Sequence, residues 1–198
     1  MRLWFVLGIL AILGGCAAVN SPYAPEEVVR EKAYRHTEPA SITLITVVNN
    51  QTGSGGHTAL MINASQRVLF DPAGSFHHEI VPEQNDVLYG ITPRVLAGYK
   101  SAHARSTFHV VTQTVPVTAE QAEIALRLAQ QNGAVPRSFC TSATSGLLRK
   151  VPGFEDTKSV LFPINLMKQF AQRPGVVTDK YFEDDEGTIV DGIENLQL

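Results

Sequence analysis

Gly56-His57-Thr58-Ala59-Leu60-Met61-Ile62-Asn63-Ala64-Ser65-Gln66-Arg67-Val68-Leu69-Phe70-Asp71 decides how the rest of the chain is read. Its two apolar runs, His57–Ile62 and Arg67–Asp71, flank a polar Asn63-Ala64-Ser65-Gln66, the pattern of two strands joined as a hairpin. With Asn63, Ala64 and Ser65 as a three-residue loop, Ile62 pairs with Gln66. Counting outward then puts His57 directly opposite Asp71, on one face of the sheet. A two-residue loop would move the register by one and send the pair to opposite faces, because side chains alternate along a strand. Asp71 also reads as a turn former ahead of Pro72-Ala73-Gly74.

Outward from the hairpin, Ser41–Val48 is dense in β-branched residues and predicts a strand, followed by the polar, glycine-rich loop Asn49–Gly56. Downstream, Pro72–Asn85 is a loop holding His77 and His78, and Asp86–Thr92 predicts another strand. Pro93–His103 opens with proline at a helix-starting position. Thr107–Val115 is a further strand. Thr118 with Gln121 three residues on forms a capping box for a helix over Ala119–Asn132, stopped by Gly133. Cys140–Lys150 predicts a short helix closed by Pro152, Phe162–Arg173 a third good helix, and Val176–Phe182 a last strand. The sum is an α+β fold, an antiparallel sheet with helices packed on it.

The ends carry a different message. Met1–Gly15 has one positive charge at Arg2, an apolar core from Leu3 to Leu13 and small residues before Cys16, the plan of an export signal. The apolar run is shorter than the roughly 20 residues a membrane-spanning helix needs. Leu13-Gly14-Gly15-Cys16 resembles the lipobox of bacterial lipoproteins, which implies removal of residues 1–15 and acylation of Cys16. An ordinary cleaved signal or a short uncleaved anchor is the other reading. Ala17 after the cysteine, by resemblance to Gram-negative lipoprotein sorting, implies an outer-membrane address facing the periplasm. The domain plan is thus a signal over 1–15, a lipidated tether over 16–40, one domain over 41–182 and a solvated acidic tail over 183–198. Formal charge is −3, and losing residues 1–15 removes only Arg2, giving −4, so no nucleic-acid partner is expected.

With Cys16 lipidated, Cys140 has no disulfide partner and is a lone thiol in an oxidising compartment. It stands at the expected start of a helix, where the free amides and a neighbouring histidine lower a thiol pKa and offer part of an oxyanion hole. A buried structural cysteine is the alternative, since free cysteines are commonly buried. Six histidines are available as its base. His36 falls in the tether and His103 at a charged helix end, both read as surface residues, while His109 sits mid-strand as a sheet residue. His77 and His78 lack a metal-ligand spacing such as His-Glu-x-x-His. His57 follows Gly53-Ser54-Gly55-Gly56, which allows close approach of backbone and substrate, and it leads a strand. Asp71 opposite it supplies the third member of a Cys-His-Asp triad, holding the imidazole's tautomer and charge.

The order His57, Asp71, Cys140 resembles that of the circularly permuted papain-like hydrolases, the branch of the NlpC superfamily that includes the lecithin:retinol acyltransferase-like proteins. Gly56-His57-Thr58-Ala59-Leu60-Met61 is similar to the histidine strand of that branch, and Val68-Leu69-Phe70-Asp71 to its second strand. Asp71 stands where the family often has a second histidine, and Phe139-Cys140-Thr141-Ser142 is similar to the cysteine motif. The likeness covers roughly residues 41–150. It departs at Ser138, ahead of Phe139-Cys140, where many relatives have Asn immediately before the cysteine. The resemblance implies a thiol hydrolase or acyltransferase acting on a peptidoglycan amide, a lipid ester or a thioester, without metal or organic cofactor. The expectations from the whole chain are a membrane-anchored envelope enzyme or, alternatively, a non-enzymatic envelope-binding lipoprotein of the same fold. A metal-assisted hydrolase using His57, Asp71 and His77 or His78 is a further rival.

Overall fold

A computed structural model describes residues 22–196. The elements run in chain order as α1 (Glu26–Lys32), β1 (Ser41–Asn49), β2 (Gly55–Asn63), β3 (Arg67–Phe70), β4 (Glu83–Gln84), β5 (Val87–Leu88), α2 (Pro93–His103), β6 (Phe108–Pro116), α3 (Ala119–Gln131), α4 (Cys140–Leu148), α5 (Pro163–Phe170), β7 (Val177–Tyr181) and α6 (Ile189–Glu194). Among the described residues the strands form one antiparallel sheet in the order β4-β5-β3-β2-β1-β6-β7. The fold is α+β, as the residue patterns predict.

The run of β-branched residues in β1 makes it the strand between β2 and β6, buried along nearly its whole length. Such a run needs cover on both faces, and both are covered. Ile42, Leu44, Leu60, Ile62 and Phe70 turn one way, into a core with Ala125 of α3, Leu147 and Leu148 of α4 and Leu166 of α5. Ile45, Ala59 and Leu69, one position out of step, turn the other way onto Tyr99 and Ala102 of α2, with Ile189 and Ile193 of α6 packed alongside. The starts of α2 and α3 are fixed by side chains: Thr92 accepts from the Val95 amide, and Thr118 and Gln121 complete the expected capping box.

Two expectations change within the sheet. The hairpin has a three-residue loop, but it is Ala64-Ser65-Gln66, with Asn63 paired to Arg67 and Leu60 to Phe70. Continuing that register places Ala59, not His57, across from Asp71. The shift is two residues, so His57 and Asp71 still share a face. The strand expected over Asp86–Thr92 shrinks to Val87–Leu88, because Asp86 (φ 67°) belongs to the turn before it and Gly90 (φ 70°) bends the chain after it.

The two flanks also pack rather than hang free. Residues 22–40, expected as a tether, lie along the β4 edge and the hairpin. The Ala24 amide donates to the Glu83 carbonyl at 2.8 Å, Val29 enters the core, and the Arg67 amide donates to the Tyr34 carbonyl at 2.8 Å. That cover blunts an edge that would otherwise offer unpaired backbone groups. The acidic end, expected as a solvated tail, is pinned by Arg105, whose guanidinium meets Asp185 at 2.7 Å and Glu183 at 3.5 Å. A buried guanidinium needs carboxylate partners, and this segment supplies them. Cys16 and the rest of the signal and lipobox lie outside the described residues.

Candidate active site

β2 begins where space is tight. A Cβ on Gly55 would come within 2.4 Å of the Pro163 Cβ, so only glycine lets α5 close over the strand start. Two residues on, His57 projects to the α2 face. Its Nε2 meets Asp71 Oδ1 at 2.6 Å, and Asp71 is buried, 3% exposed.

Asp71 performs both roles read from the sequence. Its backbone carbonyl accepts from the Gly74 amide at 2.9 Å, closing a turn, while its carboxylate holds His57. A Cβ on Gly74 would lie 2.0 Å from Asp71 Oδ2, so the turn and the carboxylate are packed as one unit. The same Oδ1 also accepts from the Tyr99 hydroxyl at 2.7 Å. Burial would raise the Asp71 carboxyl, but the charge and hydrogen bond of His57, with help from His103 and Tyr99, hold it below its ordinary value.

His103 corrects a further expectation. It is buried rather than at the surface, and its ring lies nearly parallel to that of His57, 9° apart with centroids at 5.9 Å. Its Nδ1–H donates to the Tyr99 carbonyl at 2.8 Å. Burial pushes its pKa down to about 4, the pull of Asp71 being too weak to offset burial and the neighbouring His57 charge. His57 goes the other way. Burial disfavours its charge, yet the Asp71 carboxylate and the Cys140 sulfur lift it to about 10. The stack therefore pairs a charged imidazole with a neutral one.

Cys140 arrives from the opposite layer. α4 packs on the α3–α5 face, with Thr141 Oγ1 3.2 Å from Thr58 Oγ1. β2 pairs with β3 over Leu60–Asn63, so the outer edge of its first half is open. The His57 ring and the Thr58 backbone amide both act on the Cys140 thiol there, and both favour its ionised form. With Nε2 committed to Asp71, the imidazole nitrogen left for the sulfur is Nδ1. Burial alone would raise the thiol. The His57 hydrogen bond and charge, with contacts from Thr141 and the Thr58 amide, bring it below its ordinary value. Cys140 is the first residue of α4, no side chain caps that helix, and Ser138 just before it is held at a φ of 71°. Nonglycine residues in that region are strained, and such strain collects at functional sites.

A cavity of about 480 Å³ opens beside the pair. His57, Gly56 and His103 border it, Val47 and Phe108 form apolar walls, and Ile189 of the C-terminal segment closes one side; Cys140 is not among its walls.

The other histidines are elsewhere. His77 pairs with Glu83 at 2.8 Å, and His109 bonds Asn50 at 2.7 Å while stacking on Phe182. Among the described residues no three His, Cys, Asp or Glu side chains converge as a metal-holding group. Tyr99 and His103 are the site residues that the sequence reading passed over. Their i, i+4 spacing on one helix face was the available signal, since such residues project side by side. The site rests on this geometry alone: the chain matches no protein-family profile, no curated protein and no solved structure.

Proposed function

We propose that this chain is a cysteine acyl hydrolase or acyltransferase of the permuted papain-like kind, lipid-anchored through Cys16 to the cell envelope and working through Cys140, His57 and Asp71. The observation that carries the reading is the His57–Asp71 pair at 2.6 Å, with the Cys140 thiol at the first turn of α4 held below its ordinary value by that same imidazole. A lowered thiol beside a raised imidazole favours the thiolate–imidazolium pair that such a nucleophile needs.

The thiolate attacks the carbonyl carbon of an amide, ester or thioester. Charge gathering on the carbonyl oxygen meets the uncapped amides at the start of α4. The His57 imidazolium gives its proton to the departing group, and Asp71 holds the ring in place through both stages. Water or an acceptor then returns a proton to His57 and takes the acyl group.

The test is direct. Incubated with activated thioesters and with peptidoglycan fragments, the wild-type protein should gain the mass of one acyl group on Cys140 and turn over. Cys140→Ala should lower turnover by at least about 1,000-fold. Full turnover by Cys140→Ala would defeat the thiol mechanism, and binding of either substrate without turnover by the wild type would favour the non-enzymatic lipoprotein.

A further inference from the structure

The cavity beside the pair touches the base but not the nucleophile: His57 is in its wall and Cys140 is not. Acyl transfer through a thiol divides a substrate in two. As the sulfur–carbon bond forms, the carbonyl π pair moves to oxygen. As that pair returns, the bond from carbon to the leaving group breaks, and the leaving group takes the His57 proton. The acyl half stays on sulfur, and the other half lies against the imidazole. In the second half-reaction the acceptor approaches from that same side, gives its proton to His57, bonds the acyl carbon and frees the sulfur.

We propose that this cavity is the pocket for the leaving group and the acceptor, and that it takes an uncharged, largely apolar group. The assignment rests on the thiol mechanism proposed above. Val47, Phe108 and Ile189 give apolar walls, and a volume of about 480 Å³ is within the usual range of small-molecule sites, about 300–1,000 Å³. Arg105 brings a full charge to the wall, but Asp185 and Glu183 already pair with it. His103, bordering the same space, donates its Nδ1–H to a backbone carbonyl and presents a neutral ring. A charged leaving group finds no free countercharge there, whereas an apolar one finds surface to cover.

The experiment uses two thioesters that share one acyl chain, an ethyl and a naphthylmethyl thioester; the arylmethanethiol is the better leaving group in itself, so each variant's rate ratio is read against that of the wild type. The rate of Cys140 acylation is followed by intact mass. The wild type should favour the naphthylmethyl thioester. Thr107→Trp, at an exposed position on the cavity wall, should cut the naphthylmethyl-to-ethyl rate ratio by about tenfold or more. Ile189→Trp fills the cavity from the C-terminal segment and should do the same, so misfolding of one variant does not decide the outcome. An unchanged ratio in both folded variants overturns the assignment. So does an altered dependence on acyl-chain length at constant ratio, which would give the cavity to the acyl half. If neither thioester acylates wild-type Cys140, the thiol mechanism falls and this assignment falls with it.

Discussion

At the scale of single residues, the site turns on two imidazoles in one stack that carry different charge. His57 is charged because a buried carboxylate and a sulfur flank it; His103 is neutral because burial and the nearby His57 charge outweigh the pull of Asp71 and the Tyr99 carbonyl. The sulfur's acidity follows from His57, and this gives a titration with a definite sign. Alkylation of Cys140 by iodoacetamide should stay fast below about pH 8.5, where an ordinary thiol is mostly protonated, and slow only as acid protonates the thiolate. His57→Ala removes the stabilising charge and leaves the burial, so the midpoint should move up to about 8.5 or beyond. A midpoint unmoved by His57→Ala would separate the two residues chemically. Turnover, unlike alkylation, should also fail on the alkaline side as His57 loses its proton near 10.

At the scale of elements, the joint between β3 and the turn that follows it positions the carboxylate. Gly74→Ala would drive a methyl into Asp71 Oδ2, so the carboxylate must move away from His57. The expected outcome is a fall in acylation rate of at least about tenfold with a loss of about 1–3 kcal/mol in stability, read by mass spectrometry and urea melts. A wild-type rate in that variant would mean that Asp71 tolerates displacement. Elements with strong local codes were legible from sequence: β1 by its β-branched run, α2 and α3 by Thr92-Pro93 and the Thr118–Gln121 box. The hairpin face was legible through parity, while its register was not, since Asn63 and Gln66 are both compatible with a turn and local preference does not choose between them. β5 was overestimated because positive φ at Asp86 before it and at Gly90 after it, rather than side-chain propensity, bounds it. His103 was hidden because the rings it stacks with beyond its own helix, His57 and Phe76, are far off in sequence.

At the scale of the whole molecule, burying ionisable groups on the α2 face ties stability to pH. His103 titrates near 6.5 when unfolded and at about 4 when folded. Between these values the unfolded chain binds more protons, so stability rises with pH and is lost as pH falls toward 4. From pH 6.5 to 4.5 the loss should be about 2 kcal/mol. His103→Phe should remove most of that slope in urea melts at the two pH values; an equal slope in both proteins would assign it to other groups. The packing of residues 22–40 also sets a distance. A free tether over 16–40 would let the domain roam, but the chain is already fixed to the domain by Ala24. With lipid on Cys16, as proposed, the leash between anchor and Pro22 is six Cα steps, at most about 20 Å when fully drawn out. Under that proposal the domain sits as a boat on a short mooring, and its substrate would be met within about 20 Å of slack from the bilayer surface.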